Sequence, residues 1–567
     1  MSRTGAQHLV DVLTEVGVEV AFGLPGVHNL PIWEAFAESG IRLIGVRHEQ
    51  TAGYAADGYA RASGKLGVAV VTTGPGAANT LGAIGEAMAS ASPVLVLATD
   101  IPAALRRAGT VRGVLHETSD QAALFTPVTK AAGTVGAPED IAPAVLAAAR
   151  LARQPQSGPV YVGIPADFLR QETFRAPDPD PGEQRPALHA DELDQAQRLL
   201  SAASRPLIWA GGGAIRAEAG PLIGELAQQL AAPVITTFAG RGLLPPDHPC
   251  AAPNPVHAPE VGALWDEADV VLGIGSDFDG LMTQNWLMPK PPKLIAVNVD
   301  AKDAAKNYPP DVTLVGDARE VVGRLLACLT PRPGLAELTA RLRRIDEQVR
   351  RRVRTEEPQA ADFLGTLEET LPDGAVVVAD MCIAGYWAGG YHRVAAPRRF
   401  AYPMGWGTLG FGFPASLGAA VAAPSGGATP KPSPSGGQPP DPVHHTGRVI
   451  CVSGDGGFLY GCGDLATLAQ ESLPVTVIIV DDGGYGMLRF DQDRAGLPHR
   501  GVNLHTPDFV GLARSFGVHA DRVDGFGRAF RRLLTEFVRA DEPNVLVVRA
   551  TLTPPLNTSP RWYRAES

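Results

Sequence analysis

Residues 448–488 read RVICVSGDGGFLYGCGDLATLAQESLPVTVIIVDDGGYGML. An apolar run at 449–452 ends in Ser453-Gly454-Asp455-Gly456-Gly457, and a second at 475–480 ends in Asp481-Asp482-Gly483-Gly484. Between them Leu465, Leu468 and Ala469 recur at helical spacing. Strand, glycine turn, helix, strand is one βαβ unit. Both turns then fall at strand carboxyl ends, where open parallel sheets bind ligands. Asp455 and Asp482 are therefore expected side by side. Glycine lets the backbone approach a phosphate closely, and a helix N-terminus attracts its charge. Two hard oxygen ligands beside phosphate oxygens suit Mg²⁺, which prefers octahedral oxygen shared with substrate phosphates. A glycine turn with one acid is as readily an ordinary βα turn; the second acidic turn changes the balance.

Asp482 follows Asp455 by 27 residues. This pair of turns resembles the diphosphate-binding signature of thiamine-diphosphate enzymes, Gly-Asp-Gly followed some two dozen residues later by an Asn or Asp pair. The resemblance implies that Asp455, the Asp482 side chain and the Gly484 carbonyl hold Mg²⁺. It also implies cofactor contacts from Gly454, Gly456, Gly457, Tyr485, Gly486 and Met487, and from Cys382, Ile383, Gly407 and Leu409 upstream. Asp481 stands where Asn is commoner in the family and is expected behind the ligands.

The N-terminal third alternates helical and apolar stretches, which predicts a parallel sheet. Within it lies RHEQTAGYAADGYAR, residues 47–61. By pattern alone this is an amphipathic helix with alanines against a sheet, and a surface carboxylate is the plainer reading of Glu49. The segment is similar to the pyrimidine-binding domain of the same enzymes, as are TTGPGAANTLGAIGEAMASASPVLVLATD (72–100) and GPVYVGIPADF (158–168). In that family the glutamate matching Glu49 activates the cofactor, and Thr73, Gly74, Pro75 and Asn79 fall where the cofactor is touched. The resemblance implies that Glu49 hydrogen-bonds the pyrimidine N1′, so that the 4′ nitrogen can take the C2 proton. Leu409 matches a bulky apolar wedge that bends the cofactor; core packing explains the same residue without excluding that role.

The chain has 567 residues, a length that suggests three or four domains. The resemblance implies three doubly wound α/β parallel-sheet domains: 1–172 for the pyrimidine end, 190–330 in the centre, and 358–555 for the diphosphate end. A Pro-rich linker at about 175–190 separates the first two, and a charged helix at 335–354 connects the second and third. Gly211-Gly212-Gly213 after an apolar run reads equally as a tight turn or a nucleotide turn. Residues 424–446 are a Pro/Gly/Ser-rich insertion expected to be disordered, and His444-His445 within it is expected to be solvated. Acidic residues outnumber basic ones, 60 to 49, for a net charge of −11, which argues against nucleic-acid and anionic-membrane partners. Five scattered cysteines without a Cys-x-x-Cys pair, no leader-like start and no spanning apolar run predict a cytoplasmic protein.

Overall the sequence is most similar to acetolactate-synthase-like proteins. The resemblance implies thiamine-diphosphate- and Mg²⁺-dependent decarboxylation of a 2-oxo acid with carboligation, in a homodimer or homotetramer whose sites lie between subunits. Val27, His28 and His116 fall at the substrate-facing loops. Some members bind FAD in the central domain. Here the family's flavin-loop Arg-Phe-Asp-Asp-Arg is Ser276-Asp277-Phe278-Asp279-Gly280, and FAD is not expected at stoichiometry. A flavin-dependent 2-oxo acid oxidase, an aldehyde or acyl lyase, and an inactive cofactor-binding scaffold are the alternatives. Composition generates one prediction directly. Replacing 424–446 by a short turn should leave melting temperature and activity near those of the full chain, and a loss above about 1 kcal/mol would show that the segment packs.

Overall fold

The computed structural model describes residues 3–178, 188–422 and 447–555. The insertion at 424–446, with His444-His445, and the middle of the 175–190 linker lie outside the described residues. Among the described residues twenty strands follow in chain order. Strands β1 (Arg3–Thr4) to β8 (Glu172–Thr173) belong to the N-terminal region. Between them come β2 (Val20–Gly23), β3 (Arg42–Gly45), β4 (Gly67–Val71), β5 (Val94–Asp100), β6 (Ala131–Thr134) and β7 (Val160–Pro165). The central region holds β9 (Pro206–Ala210), β10 (Val234–Thr236), β11 (Ala251–Ala252), β12 (Val270–Ile274), β13 (Lys293–Asn298) and β14 (Val312–Val315). The last region holds β15 (Val376–Ala379), β16 (Phe400–Ala401), β17 (Val449–Gly454), β18 (Val475–Asp481), β19 (His519–Asp524) and β20 (Asn544–Arg549).

These strands build three six-stranded parallel sheets, each covered by helices, so the fold is α/β in three doubly wound domains. The first runs β3-β2-β4-β5-β7-β6 and the third β16-β15-β17-β18-β20-β19. Numbered within each domain, both orders are 2-1-3-4-6-5, although the two segments share no obvious sequence repeat. The central sheet runs β11-β10-β9-β12-β13-β14, the order 3-2-1-4-5-6 of dinucleotide-binding folds. Strands β4, β5 and β17 are apolar and buried along nearly their whole length, as strands covered on both faces must be. The sequence gives no cue for the antiparallel pair β1–β8, which ties the two ends of the first domain together.

In each order the connections leaving two neighbouring strands run in opposite directions at one point, and ligands bind in the crevice there. In the third domain that point lies between β15 and β17, and in the first between β2 and β4. The expected βαβ unit is present, but its helix is broken. A turn of helix at Asp455–Phe458 and a 3₁₀ turn at Cys462–Asp464 precede the helix Leu465–Gln470. Gly461 and Gly463 punctuate that path, and glycine weakens a helix interior.

The first and third domains meet where helix Glu49–Ser63 crosses helix Gly412–Ala422. Both are buried nearly throughout and rich in glycine and alanine. A Cβ on Gly58 would lie 2.0 Å from the Ala415 carbonyl oxygen, and one on Gly418 1.8 Å from that of Ala55. The two backbones approach this closely only because neither position carries a side chain. Beside the crossing, Asp464 accepts the Arg47 N–H at 2.8 Å and the Thr51 hydroxyl at 2.6 Å. These contacts set where the Glu49–Ser63 helix begins.

Candidate active site

The turn after β17 and the turn after β18 are stitched by one carboxylate. Asp455 is 1% exposed, and its Oδ2 accepts the N–H groups of Gly483 at 2.9 Å and Gly484 at 2.8 Å. Its Oδ1 accepts the N–H of Gly456 at 2.7 Å. The Asp482 carboxylate lies close enough to act on it electrostatically, and burial together with that charge pushes the Asp455 carboxyl up to about 7. Burial also raises the Asp482 carboxyl, while Arg489, 2.6 Å away, lowers it. Asp481 lies to one side, where Thr506 donates to it at 3.3 Å.

Asp455 is buried and Asp482 partly buried, and Arg489 pairs with Asp482 alone of the two in the ion pairs seen; a cation between the carboxylates would favour the charged form of both, and Mg²⁺ suits such oxygens. The donors on offer are the two Asp side chains and the Gly484 carbonyl, all hard oxygens. Among the described residues no three His, Cys, Asp or Glu side chains cluster tightly enough to hold a metal unaided. A cation here would therefore also draw on carbonyl and ligand oxygens. Gly484 has φ +150°, and a Cβ there would meet the Val502 carbonyl oxygen at 2.1 Å, so this position requires glycine.

Beside the turns is a cavity of about 240 Å³. Its walls include Cys382, Ile383, Gly407, Leu409, Gly454, Asp455, Gly456, Gly457, Asp482, Gly484, Tyr485, Gly486 and Met487, so the sequence-derived contacts of this domain come together. Met381, Tyr386, Leu488 and Leu552 also line it and were missed. Met381 lies two residues past β15, so the strand-end rule identifies it; Tyr386 lies within helix Ile383–Tyr391 and Leu552 beyond the last strand, and no motif marks either. Cys382 caps helix Ile383–Tyr391, its sulfur accepting the Gly385 N–H at 3.3 Å. Burial pushes that thiol far above its usual range, so it stays protonated and unreactive. Asp380, fully buried just behind, is pushed up to about 6 by burial.

The N-terminal residues gather separately, at the reversal point between β2 and β4. Glu49 is the first residue of its helix and 8% exposed, and its Oε2 accepts from Asn79 at 3.0 Å. A Cβ on Gly76 would come within 3.3 Å of Oε1. His28 Nδ1 lies 2.8 Å from the Thr73 hydroxyl, which donates to Thr99 at 2.9 Å. Nδ1 of His28 is engaged by Thr73, and Nε2 takes no part in that contact. Burial, then the neighbouring His116, lowers the His28 pKa, which keeps the ring neutral at pH 7. The two imidazoles stand edge-on with centroids 5.4 Å apart. His116 has φ +68°, and its carbonyl would lie 2.6 Å from a Cβ on Gly74; Gly74 itself has φ +64° and precedes Pro75. Val27 is 65% exposed, and neighbouring Leu115 66%.

None of these N-terminal residues forms part of the cavity wall, which among the described residues comes from the third domain alone. Within one chain the N-terminal residues and the cavity are thus two separate groups. In the central domain, the N–H groups of Gly211 and Gly213 donate at 2.9 Å to the carbonyls of Ile274 and Gly275. Two of the three glycine N–H groups that could face a phosphate are already used.

Comparison with known proteins matches three stretches of the chain to one enzyme family. Residues 3–124 match the family described as thiamine pyrophosphate enzyme, N-terminal TPP binding domain. Residues 193–325 match its central domain and 380–548 its C-terminal TPP binding domain. The chain is 35% identical over 520 residues to the probable 2-ketoarginine decarboxylase of Pseudomonas aeruginosa, covering 91% of this chain and 88% of that protein. It is 32% identical over 569 residues to the probable acetolactate synthase large subunit of Methanocaldococcus jannaschii, covering 96% and 91%. It is also 32% identical to the acetolactate synthase of Mycobacterium bovis over 540 residues, covering 91% and 82%. No helix among the described residues is long and apolar enough to cross a membrane.

The stitched turns generate a prediction. Asp455→Ala should weaken Mg²⁺-dependent binding of thiamine diphosphate by at least about tenfold, with only partial recovery in excess Mg²⁺. Titration calorimetry measures this, and unchanged affinity would rule out these turns as the diphosphate end.

Proposed function

The chain belongs to the thiamine pyrophosphate enzymes, and from that premise we propose that it decarboxylates a 2-oxo acid and joins the remaining acyl unit to a second carbonyl compound. The observation that carries this reading is the pair of stitched acidic turns beside a cavity at the sheet's reversal point. Thiamine diphosphate, when bound, supplies the carbon nucleophile and electron sink that decarboxylation needs. Asp455, Asp482 and the Gly484 carbonyl would hold Mg²⁺ against the diphosphate, with the backbone of Gly454, Gly456 and Gly457 close to it. Leu409 on the cavity wall would set the bend of the cofactor. Glu49 would hold the proton at the pyrimidine N1′.

Glu49 must reach a cofactor bound in the cavity, yet it forms no part of its wall. A second copy of the chain resolves this by bringing its own Glu49 to the cavity, which makes the active unit a homodimer or homotetramer. Exposed apolar groups flank both half-sites, Val27 and Leu115 near one, Trp406 and Tyr460 near the other, as an interface requires. The same closure would bring Val27, His28 and His116 over the substrate, with the free nitrogen of His28 able to take up or return a proton. The enzyme would work without stoichiometric FAD, since the flavin-loop arginines are replaced and the glycine turn is closed onto the end of β12.

Decarboxylation ending in protonation is the second reading, and the similarity to a protein named 2-ketoarginine decarboxylase favours it. Release of CO₂ from a panel of 2-oxo acids, with the products identified by mass, separates ligation from protonation. In the same assay Glu49→Gln keeps the shape but removes the acid. Turnover and deuterium exchange at C2 of bound cofactor should fall by about 10² to 10⁴. Cofactor affinity should fall much less. Exchange within a few-fold of wild type would make Glu49 a structural carboxylate.

A further inference from the structure

Leu409 sits between two buried carboxylates that come from different domains. On its C-terminal side the Gly410 N–H donates to Asp380 at 3.0 and 3.2 Å, and Asp380 also accepts the Met381 N–H at 2.8 Å and the Ser453 hydroxyl at 3.1 Å. On its N-terminal side the Thr408 hydroxyl donates at 2.7 Å, and the Trp406 N–H at 3.1 Å, to one oxygen of Glu86. Glu86 lies on helix Leu81–Ala89 of the first domain and is fully buried. Its other oxygen accepts from Arg61 at 3.2 Å and from Ser90 at 2.9 Å. Arg61 reaches the same loop by donating at 3.0 Å to the Tyr402 carbonyl, and its guanidinium lies 4.8 Å from the Phe411 ring centroid.

We propose that Glu86 is a positioning residue that fixes Leu409 against the cofactor, making the first domain part of the cofactor site in the third domain of its own chain. This rests on the wedge role given to Leu409 above. The chemistry of the cluster requires a charged acceptor. Burial alone would disfavour the Arg61 cation; Asp57, bound to it at 2.8 and 2.7 Å, and Glu86 outweigh that cost. A carboxylate offers one oxygen to the loop and one to Arg61 and Ser90. A carboxamide offers a single oxygen and would turn N–H groups toward a guanidinium or toward the loop donors. Gly85 adds shape to charge, since a Cβ there would lie 1.8 Å from the Trp406 ring and would push the loop away. The arrangement also links the two half-sites. Helix Glu49–Ser63 begins at Glu49, and about three turns later its Arg61, held by Asp57, reaches the loop that carries Leu409.

The test compares Glu86→Gln and Thr408→Val with Thr408→Ser, which restores the hydroxyl. In the apo chain, amide hydrogen exchange over residues 403–411 should rise by about tenfold or more in Glu86→Gln and Thr408→Val and stay near wild type in Thr408→Ser. In the loaded enzyme, deuterium exchange at C2 of thiamine diphosphate should slow by about ten- to a hundredfold, with cofactor affinity held within about threefold. Thr408→Val removes one hydroxyl at constant shape, so it reports even if Glu86→Gln fails to fold. Unchanged loop protection, or C2 exchange within about twofold of wild type in folded Thr408→Val, would make Glu86 an interdomain tie and nothing more. Wild-type enzyme that does not accelerate C2 exchange over free cofactor would overturn the proposed function, and this inference with it.

Discussion

One carboxylate holds the candidate site together. Asp455 takes two N–H groups from the neighbouring turn at 2.9 and 2.8 Å. The pairing of β17 with β18 brings the two turns side by side, and this carboxylate ties the glycine-rich backbone of one to the other. The same contact buries a negative charge beside Asp482, which raises the Asp455 carboxyl to about 7. The turns are therefore ordered at an electrostatic cost that a bound cation would offset. Arg489 offsets part of that cost at Asp482, and among the described residues none of its hydrogen bonds goes to Asp455.

The third domain repeats the strand order of the first, and each order has one reversal point. Diphosphate-type residues collect at one and Glu49, His28 and Thr73 at the other. The glycine–alanine helix crossing fixes the two domains of one chain relative to each other. The crossing helix starts at Glu49, and exposed apolar residues such as Val27, Leu115, Trp406 and Tyr460 lie elsewhere on the two domains. The buried Glu86–Arg61 cluster then carries positional information from the first domain to the loop of Leu409. Packing, charge and topology in this way converge on one small volume.

Much of this was legible in the sequence. The runs at 449–452 and 475–480 are bounded by glycine turns, so they read as buried strands, and parallel pairing alone brought Asp455 and Asp482 together. By pattern alone Glu49 reads as a surface carboxylate of a helix, and its role was legible only through resemblance. Other features carry no local signal. Two-residue strands such as β11 and β16 are too short for any periodicity. The broken helix after Asp455 depends on glycines that also read as part of the turn. Glu86 and Asp380 look like isolated acids in apolar stretches, because the groups that justify their burial lie far away in the chain or on the backbone. That Glu49 and the cavity are separate within one chain could not be read from motif spacing at all.

The account's central claim is that each site is completed by two copies of the chain. Mixing Glu49→Gln chains with Asp455→Ala chains tests it most directly, because each variant spoils a different half-site. Random pairing into dimers gives mixed dimers in which one of two sites keeps both native halves. Activity should therefore return to roughly a quarter of the wild-type level, from two preparations that are each nearly inactive. If native mass spectrometry shows mixed dimers and activity does not return, both halves act within one chain and the account is wrong.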